Sequence, residues 1–273
     1  MTKNSLESRT VQSFGFEWNK TIPLHENLAE FDFFKKLFHT EKNEFKGKEV
    51  LDIGSGNGQY SDFALRLGAK SITCLDISDA LNACGRNLEK MHFDKIKKMK
   101  FIKKSILELK ANKKYDSVLL IGVAQHTVNP RLAVKKAIDC LKKDGTLYFW
   151  GYEDNLAYKL SFHPLRKITT CLPHRLLWKL TWVPAVLVKF PLLNIPLRCA
   201  GISNRELLEE RRLSIFDAFA TPITHFHTQE ELESWFKEFD CIYEITSEPS
   251  DFWRRLLGMK YKNAFAFKIK RKK

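Results

Sequence analysis

Between Lys48 and Tyr152 the chain alternates short apolar runs with amphipathic stretches. "KEVLDIG" (48–54) holds a short, mostly apolar run stopped by glycine, the pattern of a buried strand. "YSDFALRLGA" (60–69) carries the helical period and ends at Gly68, a C-cap candidate. "SITCLD" then predicts a second strand, "SDALNACGRNLEKM" a helix that Ser78 could cap, and "MKFIKKS" a third strand. "YDSVLLIG" is apolar on both faces, as central parallel strands are. "PRLAVKKAIDCLKK" predicts a helix opened by Pro130, and "GTLYFWGY" a fifth strand. Upstream, Leu28, Phe31, Phe34, Leu37 and Phe38 predict a helix over 26–42.

From 152 to 223 the alternation stops. This stretch is apolar and basic and is broken by prolines at 164, 173, 184, 191 and 196. It resumes with "HTQEELESWFKEF", where Thr228 and Glu231 have capping-box spacing, and with two strands, "CIYEIT" and "KNAFAFKIK". Alternating strands and helices imply crossover connections and helices on both faces of a sheet. The expected architecture is α/β: a Rossmann-like, doubly wound, mostly parallel seven-stranded sheet with a helical lid insertion. Residues 1–44 form an N-terminal helical cap, 45–151 with 224–273 the sheet domain, and 152–223 the lid on the substrate side.

Composition narrows the setting. A chain of 273 residues with 44% hydrophobic residues can bury a core. The six cysteines are scattered without zinc spacing, so no metal site is expected, and buried thiols suit a reducing compartment. The first twenty residues lack an apolar secretory core, and no run long enough to span a bilayer occurs; a cytoplasmic location is the expectation. The net charge of +14 is uneven: residues 155–205 hold eight Lys/Arg and no acid, and 252–273 hold nine and no acid. Such excess favours polyanionic partners or reflects a solvated surface.

The chemistry concentrates in "VLDIGSGNGQYS" (50–61). Gly54, Gly56 and Gly58 let backbone approach a ligand where a parallel strand ends. A triphosphate loop needs Lys-Ser/Thr after its last glycine, which is missing, and the dinucleotide fingerprint needs glycine where Gln59 stands. Asp52, two residues before the first glycine, would repel pyrophosphate. Asp76, at the end of the second strand, can accept ribose hydroxyls, with Ile77 beside it to pack on a base. These features suit a nucleoside with a cationic tail, a description that S-adenosylmethionine meets.

"VLDIGSGNG", "LDIS" and "YDSVLLIGVAQHTVNP" resemble the first, second and fourth motifs of class I S-adenosylmethionine-dependent methyltransferases, in their small-molecule branch. "SFGFEWNK" (13–20), "LPHRLL" and "FDAFATPITHFHTQEELESWF" resemble segments of a bacterial and archaeal subgroup. The resemblance implies that Asp52 and Gly54, Ser55, Gly56 and Gly58 hold the methionine part. It implies that Asp76 holds the ribose, that Ile77 flanks the adenine, and that Gly122 and Val123 border the sulfonium. Ser105 stands where the family usually has an acid for the adenine amino group, so recognition there would lean on the backbone of Ser105 and Ile106.

Methyl transfer needs alignment, and a base only where the nucleophile must lose a proton. His126 and His225 are the catalytic candidates; for His126 the favoured reading is a histidine that hydrogen-bonds the loop and shapes the pocket, and Asp217 could orient His225 or His227. Trp18, with Phe16, could wall the cofactor or be plain core, and His227 could reach substrate or staple the helix behind it. The expected activity is methyl transfer to a small-molecule acceptor, apolar or phosphate-bearing. An RNA methyltransferase is the alternative raised by charge, but no RNA-binding module and no "[DN]PP[YF]" segment follows the fourth strand, so nucleic acid is not the expected partner. A non-catalytic protein that docks on membrane or partner through the lid is the remaining reading. Trp178, Trp182 and Phe190 among Arg175, Lys179 and Lys189 suit an apolar lid over a hydrophobic substrate as well as peripheral contact with anionic membrane; five prolines argue against one long amphipathic helix, so the lid is the favoured reading.

Overall fold

The computed structural model describes residues 3–20, 28–154, 156–193, 207–249 and 264–272. Pro196, Cys199 and the first two residues of the helix expected over 26–42 and of the last expected strand lie outside the described residues.

Seven strands form one sheet: β1 (Glu49–Ile53), β2 (Ser71–Asp76), β3 (Met99–Lys103), β4 (Tyr115–Ile121), β5 (Leu141–Gly151), β6 (Cys241–Ile245) and β7 (Phe265–Arg271). Their order is β3-β2-β1-β4-β5-β7-β6. The β3 to β5 half is parallel, and β7 runs antiparallel to both β5 and β6. The expected Rossmann-like sheet is therefore present, with an antiparallel edge. Strand periodicity sends neighbours to opposite faces: Leu51, Val118 and Leu120 enter one core, and Val50, Leu119 and Ile121 the other. Both cores are closed by helices, which is why β1 and β4 carry apolar residues on both faces.

The sheet helices are α1 (Lys3–Lys20), α2 (Leu28–Leu37), α3 (Gln59–Arg66), α4 (Ala80–Met91) and α5 (Pro130–Asp139). The region after β5 holds α6 (Leu156–Thr169), α7 (His174–Leu180), α8 (Trp182–Leu187) and α9 (Leu208–Ala220); α10 (Gln229–Glu238) precedes β6. β5 begins at Leu141, four residues before the expected start, because the ladder slips: Tyr115 pairs with Leu141 but Ser117 pairs with Thr146, and Asp144 takes up a φ of 65°. Thr228 caps α10 by accepting the Glu231 N–H at 3.2 Å, while the Glu231 carboxylate turns to His227 Nδ1 at 3.0 Å. At α4 the N-cap is Asp79; Ser78 instead accepts the Ala80 N–H and donates to Asp76 Oδ1.

A third core joins α1 to the helical region. Phe16 of α1 packs with Leu177, Ile215, Phe216 and Phe219. Ser13 Oγ donates to the Ala220 carbonyl at 3.0 Å, and Thr10 Oγ1 accepts the Ile223 N–H at 3.2 Å. The two ends of the helical region are stitched together, since the Asp154 N–H donates to the His227 carbonyl and the His227 N–H to the Tyr152 carbonyl. No helix among the described residues is long and apolar enough to cross a membrane.

Candidate active site

Strand order reverses between β1 and β4, which leaves a crevice at their carboxyl ends. A cavity of about 580 Å³ opens there, roofed by α1 and α9. Its floor is the glycine loop. Gly54 has φ +68°, and a Cβ on it would stand 2.4 Å from Val123 Cγ2, so only glycine fits. Gly56 has φ +54°, and its Cβ would meet the Trp18 ring at 3.3 Å.

Asp76 ties this loop to β2. Its Oδ2 accepts the Gly56 N–H at 2.9 Å, and its Oδ1 accepts the Ser78 N–H at 2.8 Å and the Ser78 hydroxyl at 2.7 Å. Asp76, Ile77, Ser105, Ile106 and Gly122 all line the cavity, as do Gly54, Ser55 and Gly56. Ser105 Oγ accepts the Leu107 N–H and so shapes its own turn. The buried Ser55 hydroxyl finds no protein partner among the described residues, which leaves a polar atom at the loop for a ligand to satisfy.

Four of the residues singled out in the sequence stand off the wall. Asp52 lies behind the loop, where its carboxylate accepts the Ser61 hydroxyl of α3 at 2.6 Å. Burial pushes its pKa up to about 7 against the Ser61 hydrogen bond, and the Asp76 charge adds to the rise. Gly58 caps α3 with φ +91°, where a Cβ would meet Cys84 Sγ at 3.1 Å; it is glycine so that α3 and α4 can approach. His225 donates its N–H to the Gln125 carbonyl and stacks on His227 without lining the cavity. His227 is held between Glu231 and the Trp235 ring at 4.9 Å, the staple of the α10 end.

His126 and Trp18 do line the cavity. His126 Nδ1 lies 2.9 Å from the Ile223 carbonyl, which only accepts, so Nδ1 carries the proton and Nε2 the lone pair. Burial lowers its pKa to about 4, which keeps the ring neutral. Phe14 and Tyr152 meet it edge-on at 5.0 and 5.6 Å.

The sequence pointed to Trp18 of the N-terminal cap as a candidate cavity wall, but not to Glu17 or Tyr152. Glu7, Thr10, Val11, Phe14, Glu17 and Trp18 line the cavity, and their spacing is that of one helical face. That periodicity was present in the sequence but carries mixed polar and apolar residues, so it does not stand out as a core-facing stripe. Glu17 is 1% exposed. Burial raises its pKa well above the usual carboxylate range, and the Asp217 charge adds to this. Asp217 Oδ2 accepts the Tyr152 hydroxyl at 3.4 Å.

Residues 51–147 match the family model described as a methyltransferase domain. The chain is 29% identical over 121 residues to the mitochondrial ubiquinone biosynthesis O-methyltransferase of Schizosaccharomyces pombe, covering 44% of this chain and 43% of that one. It is 32% identical over 111 residues to the ubiquinone biosynthesis O-methyltransferase of Glaesserella parasuis, covering 39% and 46%. The chain thus spans under half the length of these two curated relatives. Among solved structures, magnesium protoporphyrin IX methyltransferase of Synechocystis, with bound S-adenosylhomocysteine, superposes with a TM-score of 0.57 at 11% identity over 99% of this chain and 100% of that one. The fold is the Rossmann-like methyltransferase fold.

Proposed function

We propose that the protein is an S-adenosylmethionine-dependent methyltransferase acting on a small molecule. The observation that carries this is the meeting of Asp76 with Gly56 on the wall of one cavity, where a strand-end carboxylate and a side-chain-free loop face the same space. Asp76 would receive the ribose hydroxyls, for which its oxygens keep lone pairs beyond the three bonds they accept. Ile77, 39% exposed, would cover one adenine face, and the backbone at Ser105 and Ile106 its edge. Gly54, Ser55 and Gly56 would hold the amino-acid part, with Gly122 beside the sulfur. Asp52 and Gly58 support the loop from behind. When bound, the cofactor supplies an electrophilic methyl group.

The chain's own part is alignment and exclusion of water. A neutral His126 with its lone pair on Nε2 can accept a hydrogen bond from a nucleophile. Its lowered pKa suits positioning better than strong base catalysis, whose optimum lies near the working pH. Residues 152–223 act as a lid whose helices, with α1, roof the acceptor. Because α1 lines the cavity with Phe14, Glu17 and Trp18, the "SFGFEWNK" segment is read as the mark of a subgroup that builds its acceptor wall from the N-terminus.

Calorimetry with S-adenosylhomocysteine tests the reading, followed by a metabolite-extract screen with labelled cofactor. Binding and transfer of label to a small molecule are expected; no binding overturns the assignment, and label in RNA favours the alternative.

A second reading concerns the lid's outer face. Ile168, Leu176, Leu180, Trp182, Val183 and Phe190 are each 45–65% exposed, with Lys167, Arg175, Lys179 and Lys189 exposed among them. Apolar side chains set among cations match an anionic lipid surface. We infer peripheral docking there. Co-sedimentation with phosphatidylglycerol vesicles, lost in W182A/F190A, is expected; equal recovery with and without vesicles sinks the idea.

A further inference from the structure

The cavity contradicts the charge of the chain that builds it. The protein carries 46 Lys/Arg against 32 Asp/Glu, yet the helical roof sets Glu7, Glu17, Glu209, Glu210 and Asp217 around the cavity. Among the described residues Lys104 is the one Lys or Arg on the wall, and it follows β3 beside Ser105. A wall drawn at random from this composition would lean basic.

Glu17 sharpens the point. It is almost wholly buried on α1, lines the cavity, and its Oε2 has no hydrogen-bond partner among the described residues. A buried carboxyl without a partner destabilises a fold, so a compensating gain elsewhere is expected. Arg166, on α6, does not supply the partner: its hydrogen bonds go to the Ala218 and Thr221 carbonyls and to Thr224 Oγ1, and its charge acts on Asp217 rather than on Glu17. The same wall carries Phe14, Trp18, Tyr152 and Trp178, and aromatic faces combined with carboxylates are the surroundings that recognise an ammonium group.

We propose that the roof of the cavity is a subsite for a protonated amine on the methyl acceptor, with Glu17 receiving the nitrogen and Asp217 lending a second negative charge. The inference rests on the methyltransferase reading and deepens it, replacing the phosphate-bearing acceptor expected from net charge with a cationic one. Carboxylates on this wall repel phosphate and attract ammonium, and an arriving ammonium favours the ionised form of Glu17, which burial and the Asp217 charge by themselves oppose. The subsite lies on α1 and α9, which line the same cavity as the strand ends assigned to the cofactor.

The test uses the full-length protein saturated with S-adenosylhomocysteine and three probes that share one ring and differ in head charge: phenethylamine, 2-phenylethanol and 3-phenylpropionate. Calorimetry should show phenethylamine binding about tenfold or more tighter than the other two, as expected when a charge-assisted bond replaces a neutral one. Glu17→Gln should abolish that preference, leave the affinity for S-adenosylhomocysteine unchanged, and keep the melting temperature at or above that of the unaltered protein. Asp217→Asn should reduce the preference in part. No binding of phenethylamine at millimolar concentration, equal binding of the neutral or anionic probe, or a preference that survives Glu17→Gln overturns the proposal. So does a loss of S-adenosylhomocysteine affinity in Glu17→Gln, which would assign the carboxylate to the cofactor's own ammonium group. Failure of S-adenosylhomocysteine to bind the unaltered protein is a separate result and sinks the underlying reading instead.

Discussion

Asp76 Oδ2 holds the Gly56 N–H at 2.9 Å across twenty residues of sequence. The carboxylate expected to read a ribose therefore also fixes the loop that faces the rest of the ligand. Asp76→Ala should lose both services. We expect S-adenosylhomocysteine affinity to fall about tenfold to a hundredfold, the equivalent of losing a charge-assisted hydrogen bond of roughly 1.5–3 kcal/mol, as read by calorimetry. Unchanged affinity would remove Asp76 from the site.

Two glycines with similar φ separate backbone strain from steric fit. Gly47 has φ +72° and no atom within 4 Å of a built Cβ, whereas Gly54 has φ +68° and Val123 at 2.4 Å. Gly47→Ala should cost about 1–2 kcal/mol of stability through its φ alone and keep ligand affinity. Gly54→Ala should cost more and also displace the loop, so binding falls with stability. Equal effects of the two on S-adenosylhomocysteine binding would refute the assignment of the loop.

His126 predicts an acid-sensitive fold. Its folded pKa is about 4 and its ordinary value 6.5, so below pH 6.5 the unfolded chain takes up the proton first. Stability from this group is complete above pH 6.5, drains away between pH 6.5 and 4, and is flat below, a loss on the order of 3 kcal/mol. Urea unfolding at several pH values should show that slope, and His126→Phe should flatten it.

Asp52 predicts the opposite slope. Its folded pKa of about 7 lies above the ordinary 3.8, so the native state keeps the proton longer and stability falls as pH rises from about 4 to 7. Asp52→Asn keeps an acceptor for Ser61 without the charge. Its stability relative to the unaltered protein should improve steadily over that range; a constant difference would show that Asp52 does not titrate there.

Much of the fold was legible because it is written in local periodicity. Apolar runs such as "YDSVLLI" and the glycine closing "KEVLDIG" mark the strands and their exits, and Gly54, Gly56 and Asp76 lie on the cavity wall beside those exits. The acceptor side was not legible. Glu17, Tyr152 and Asp217 come from α1, the end of β5 and α9, separated by 135 and 65 residues, and no local pattern records that they share a wall. Nor does sequence separate Asp52 from Asp76. Both lie near strand ends, but one points toward α3 and the other toward the cavity, and only the packed fold decides which.

The sequence by itself determined the order of strands and helices, the positions where only glycine can stand, and the excess of positive charge, since each depends on nearest neighbours or on counting. Tertiary structure decided which side chains face the cavity and the sign of its charge. Helices distant in sequence pack over the sheet through the Phe16–Phe216 core, and that packing turns Glu7 and Glu17 of α1 toward the cavity.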